Sequence, residues 1–137
     1  MSEYLFVYGT LRKNALRRAA GNRCYQLLQQ NASLVGEGRF QAKLYLVDYY
    51  PGVVASEDPA WQVTGEVYQL QQPESVLAEL DQYEQCGPGF ASPTEYLRLQ
   101  QQIILENGEM ISAWLYIYNH PIDVLKQIMS GDFLHCL

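Results

Sequence analysis

The 137-residue chain is long enough to bury a single core, and its 48% hydrophobic and 18% charged composition is that of an ordinary globular domain. No apolar run approaches the roughly 18 residues that span a bilayer, and nine basic against fifteen acidic residues leave a net charge of −6, so neither a membrane nor nucleic acid is an expected partner. Three cysteines, Cys24, Cys86 and Cys136, are too few and too irregularly spaced for a disulfide framework, and an acidic residue stands where a secretory leader carries basic ones; a cytoplasmic protein is expected.

Tyr4 to Tyr8 is a continuous apolar and aromatic run ended by Gly9, the pattern of a strand buried on both faces. From Leu16, apolar residues recur at threes and fours through Leu28, which predicts an amphipathic helix ending near Asn31. Its basic residues, with Arg12 and Lys13, read most simply as a solvated face. Strand patterns follow at Leu34 to Gly36, Lys43 to Val47, Val53 to Ser56 and Gln62 to Leu70, a spacing that predicts a curled antiparallel sheet. A second helix starts at Pro73 and runs to about Glu84, and Gly87-Pro88-Gly89 breaks the chain.

Tyr96 to Leu105 and Met110 to Tyr118 flank Asn107-Gly108, the dipeptide of a tight type I′ hairpin. A two-residue loop there pairs Glu106 with Glu109 and sets Arg98 opposite Ile117. Trp114, Tyr116 and Tyr118 share one face because strand side chains alternate. A tail helix is expected from Ile122 to Met129, stopped at Gly131. The whole is one α+β domain over residues 1–137.

Leu77, Leu80 and Glu84 fall on one helical stripe, so a carboxylate shares the apolar face, while Asp81 is expected to face away. Burial and the negative end of the helix dipole both raise a carboxyl pKa, as a proton shuttle near neutrality requires. On spacing alone the plainer reading is stronger: Glu84 pairs with an arginine such as Arg98 or fringes the core. Tyr8-Gly9-Thr10-Leu11 leads from a strand through a tight turn, where backbone N–H groups can converge on an anion, although a plain connecting turn is the commoner use. His120 precedes Pro121 in a loop and His135 is near the last residue given, so a histidine triad has little support; a metal would need Asp132, His135 and Cys136 to converge, and Cys86 has no histidine close in sequence.

Taken in order, Val7-Tyr8-Gly9-Thr10-Leu11-Arg12, Tyr50-Pro51-Gly52, Val63 to Tyr68, Leu80-Asp81-Gln82-Tyr83-Glu84, Tyr96-Leu97-Arg98 and Ala113 to Tyr118 resemble the γ-glutamylcyclotransferase superfamily, including its AIG2-like and γ-glutamylamine cyclotransferase branches. The resemblance implies a small, mixed but mostly antiparallel β-barrel flanked by a few helices. It also implies a cyclotransferase, without metal or other cofactor, that releases 5-oxoproline from a small γ-glutamyl substrate. Carried over residue by residue, Glu84 is the catalytic group, Tyr8, Gly9, Thr10 and Leu11 form the substrate loop, and Tyr96 and Tyr118 line the pocket. Two departures bear on substrate choice: Gln85 stands where a glycine often follows the glutamate, and Cys86 to Thr94 is long and proline-rich. A non-catalytic small-molecule-binding or regulatory module is the alternative, and oligomeric state is left open.

Overall fold

The computed structural model describes residues 3–9, 22–47, 51–84 and 94–133, with the side chains of all of these but 22–25, 83 and 84. The chain runs β1 (Glu3–Val7), α1 (Asn22–Asn31), β2 (Ala32–Leu46), β3 (Pro51–Ala55), β4 (Gln62–Leu70), α2 (Pro73–Glu84), β5 (Tyr96–Leu105), β6 (Met110–Tyr118) and β7 (Lys126–Gln127). Residues 10–21, which hold the expected start of the first helix and much of the basic cluster, lie outside the described residues, as does the Gly87-Pro88-Gly89 break.

Strands β2, β4, β1, β6 and β5 follow one another around a barrel, which closes where Gly38 and Arg39 of β2 meet Leu105 and Ile104 of β5. The curled sheet expected from the sequence is thus a closed mixed barrel. Among the described residues, its one parallel pairing joins β1 to β6, with Leu5 beside Trp114. Beyond the barrel, β3 extends β2 along Ala42–Leu46, and β7 pairs with Tyr45 and Leu46.

Alternation along the strands sorts the core into two layers. Phe6, Phe40, Val63, Val67, Ile103, Ala113 and Leu115 fill the barrel. Leu5, Val7, Tyr68 and Leu70 point outward and are covered by Leu28 of α1 and by Val76, Leu77 and Leu80 of α2. β1 is therefore buried on both faces, as its unbroken apolar run predicts. Burying such side chains is worth about 1.5–3 kcal/mol each.

Three expectations need correction. The segments expected at Leu34 to Gly36 and Lys43 to Val47 are one 15-residue strand, β2, which ends at Leu46 and in which the ladder to β4 shifts register between Leu34 and Gly36. A bulge there leaves Leu34 and Val35 about half exposed and interrupts the apolar pattern. The hairpin loop has three residues, not two: Leu105 N–H donates to the Glu109 carbonyl at 2.8 Å and Gly108 N–H to the Leu105 carbonyl at 2.9 Å. Gly108 takes φ 86°, the left-handed residue that follows a type I turn in such loops. Asn107 Oδ1 accepts from the Glu109 N–H at 2.9 Å, which secures the wider loop. The register accordingly moves by one, and Arg98 faces Tyr116 while Leu97 faces Ile117. The expected tail helix is a single turn, closed by Leu125 N–H on the Ile122 carbonyl at 3.0 Å, followed by β7. Within that stretch Val124 and Met129 are 93% and 68% exposed, so it presents no continuous apolar face to the core.

Candidate active site

The end of β1, the start of β3, the start of β5 and the end of β6 meet at one mouth of the barrel. Tyr8 follows β1; its ring is buried in the barrel layer, and its hydroxyl donates to the carbonyl oxygen of Tyr116. At Gly9 the backbone passes so close to Pro51 that an added Cβ would lie 2.7 Å from Pro51 Cγ, so a side chain here would push β3 away. Gly52 is crowded in the same way, an added Cβ falling 2.8 Å from Tyr118 Cβ.

Tyr96 opens β5 and Tyr118 closes β6, directly opposite each other in the ladder. Their rings meet edge to face, 5.7 Å between centroids and 72° between planes. Tyr96 is buried and its hydroxyl donates to the Pro51 carbonyl at 2.6 Å, which ties β5 to the start of β3. Tyr118 is partly exposed and stacks edgewise on His120 at 5.8 Å. Desolvation raises the Tyr118 pKa above 10.0, with the nearby charge of Glu95 acting in the same direction. Among the described residues the Tyr118 hydroxyl has no hydrogen-bond partner, whereas those of Tyr8, Tyr96 and Tyr116 are donated to protein oxygens.

The wider hairpin loop is what assembles this wall. With a two-residue loop, Arg98 and Tyr96 would fall on the opposite face of the hairpin from Tyr116 and Tyr118. In the observed register all four share a face, and Asp81 of α2 reaches two of them, Arg98 and Tyr116. Arg98 donates from Nε to Asp81 Oδ1 at 2.7 Å and from Nη2 to Oδ2 at 3.1 Å, and Tyr116 donates to Oδ1 at 2.7 Å. The expectation that Asp81 faces away is overturned. Asp81 lies one turn after Leu77 on the flank of the buried stripe, and that i to i+4 spacing was the signal in the sequence that could have located it.

The structure thus brings together Tyr8, Gly9, Tyr96 and Tyr118, and adds Pro51, Gly52, Asp81 and Tyr116, which the sequence analysis had not assigned to the site. Thr10, Leu11, Cys86, His135 and Cys136 lie outside the described residues, and Glu84 is described only as the last residue of α2.

Residues 5–135 match the family model described as gamma-glutamyl cyclotransferase, AIG2-like. The chain belongs to that family. It is 36% identical to the gamma-glutamylcyclotransferase family protein YtfP of Escherichia coli, over 95% of each chain. It is 33% identical to MJ1514 of Methanocaldococcus jannaschii, which is provisionally named a gamma-glutamylcyclotransferase, over 96% of this chain and 95% of that one. Among solved structures, YtfP from Escherichia coli superposes with a TM-score of 0.62 at 35% identity, covering 96% of both chains. YkqA of Bacillus subtilis superposes with a TM-score of 0.70 at 26% identity, covering 97% of this chain and 40% of that longer one. The family's barrel fold is therefore the fold of this chain. No helix among the described residues is long and apolar enough to cross a membrane.

Proposed function

We propose that the protein is a cyclotransferase acting on a small γ-glutamyl amine, with Glu84 as its proton-transfer group. One observation supports this reading most directly. Asp81 ties the last turn of α2, the turn that ends in Glu84, to Arg98 and Tyr116, each two residues along its strand from Tyr96 or Tyr118. The helix turn that ends in Glu84 is thereby tied to the strands that carry Tyr96 and Tyr118, in a chain of the matching family.

In the proposed reaction the α-amine of the γ-glutamyl group attacks its own γ-carbonyl carbon. A ring C–N bond forms, the original amide C–N bond breaks, and 5-oxoproline and a free amine leave without water being consumed. Because the nucleophile is intramolecular, good orientation is worth an effective molarity of roughly 10⁵ to 10⁸ M. The α-nitrogen gives up two protons, one before its attack and one from the ring nitrogen after it; Glu84 takes each in turn and returns it to the departing amine, which leaves as its ammonium ion, a role typically worth about 10² to 10⁴ in rate. Backbone N–H groups of the Gly9 to Leu11 loop hold the α-carboxylate. Tyr118, whose hydroxyl has no protein acceptor among the described residues, donates to the substrate oxygen as charge develops on it. Tyr96 forms wall rather than oxyanion donor, because a phenol has one proton and that of Tyr96 goes to the Pro51 carbonyl.

The test is 5-oxoproline release by the purified protein and by Glu84→Gln, over γ-glutamyl amino acids, γ-glutamyl amines and glutathione. Release by the wild type, reduced about 10²-fold or more in the variant, is the expected result. Equal rates in both would remove Glu84 from the mechanism, and no release from any substrate would turn the reading to a binding module.

A further inference from the structure

We propose that Asp81 is a positioning residue for this reaction: together with Arg98 and Tyr116 it sets the placement of the last turn of α2, and through that turn of Glu84, against the barrel mouth. The inference rests on the cyclotransferase reading and concerns a residue outside the proposed chemistry.

Arg98 and Tyr116, on two strands, both donate to Asp81, Arg98 twice and in the fork-to-fork geometry that fixes direction as well as distance. The arginine is itself held, its guanidinium 4.5 Å from the Trp114 ring centroid, and Trp114 Nε1 donates to Glu3 Oε2 at 3.1 Å. The network therefore anchors α2 to β5, β6 and β1. Asp81 and Arg98 are each 24% exposed, so solvent screens their charges in part, and what sets the pair apart from the apolar contacts is its direction. α2 is already docked by Val76, Leu77 and Leu80, all buried.

Apolar contacts are non-directional, so they leave the helix some freedom to roll and slide; the fork removes it. Asp81 also carries negative charge into the last turn of a helix that has no basic residue there, against the helix dipole. A local penalty is thus accepted at the position three residues before Glu84, one turn away on the same rigid element. Small displacements of a catalytic group, of about 1 Å, lower turnover by roughly 10²-fold.

The experiment measures kcat and KM for 5-oxoproline release with Asp81→Asn, Arg98→Lys and Tyr116→Phe, each in the wild-type and in the Glu84→Gln background. Asp81→Asn is expected to lower kcat about 10- to 100-fold with KM unchanged, Arg98→Lys and Tyr116→Phe less, and none to lower the residual rate of Glu84→Gln further. Equal losses in both backgrounds, or a KM effect alone, would make Asp81 a brace for the fold and overturn the proposal. So would full turnover by all three variants. If Asp81→Asn does not fold, Tyr116→Phe, which keeps the ring and removes one donor, decides by the same comparison. A wild type inactive on every substrate would overturn the cyclotransferase reading and this inference with it, whereas active wild type with indifferent variants overturns this inference alone.

Discussion

The barrel interior and the barrel mouth are built by different physics. Inside, Phe6, Val63, Val67, Ile103, Ala113 and Leu115 are at most 1% exposed and pack without a polar side-chain atom among them. At the mouth, tyrosine hydroxyls, a carboxylate and a guanidinium meet in fixed pairs at 2.6–3.1 Å. Apolar packing adds stability in proportion to the area buried, whatever its direction, while the mouth uses contacts that work at one geometry only. The interior should therefore govern whether the protein is folded, and the mouth how well it turns over.

Phe6→Ala makes the sharpest cut on the interior side. It should lower the free energy of unfolding by about 3–5 kcal/mol in urea titration, while whatever remains folded keeps its turnover. A comparable loss of kcat in the folded fraction would mean that the two regions are coupled. Gly52→Ala tests the mouth, where the new methyl would meet Tyr118 at 2.8 Å. About 1–3 kcal/mol of stability should be lost, and KM for the γ-glutamyl substrate should rise as Tyr118 is displaced; an unchanged KM would separate Tyr118 from substrate binding. The smallest effect is electrostatic. Because the folded-state pKa of Tyr118 is raised, the folded protein holds that proton more tightly than the unfolded chain does. Its contribution to stability is complete below pH 10 and is lost as pH rises through the folded pKa. Thermal melts at increasing alkaline pH should fall more steeply for the wild type than for Tyr118→Phe.

The same division governs what the sequence made legible. Interior and helix-facing positions follow from alternation and three-and-four spacing, so Gln62 to Leu70, Pro73 to Glu84, Tyr96 to Leu105 and Met110 to Tyr118 emerge with the bounds that the structure has. The mouth depends on register, and register at this hairpin hangs on one residue of loop length. Asn-Gly is compatible with both loop sizes, and the choice was made by the Asn107 side chain capping Glu109. That single step carries Arg98 from Ile117 to Tyr116 and creates the site for Asp81. The glycine turn and the tyrosines were legible as motifs through family resemblance, but not their contacts with Pro51 and Gly52, which pair sequence-distant segments without any local signal. The tail was misread because Ile122, Val124, Leu125 and Ile128 fit a helical spacing in a window too short to separate the alternatives.

The position of β1 in the barrel also bears on how the protein is made. β1 lies between β4 and β6, strands that emerge from the ribosome much later, and its parallel partner Trp114 is 114 − 5 = 109 residues beyond Leu5. Until both arrive, a nascent chain carries Leu5, Phe6 and Val7 on a strand with two unsatisfied edges, the kind of segment that pairs with the wrong neighbour. Closing so long a loop is also slow relative to local pairing. The barrel cannot be completed in the order in which it is synthesised, so β1, flanked on both edges by later strands, is the one that waits longest for its place.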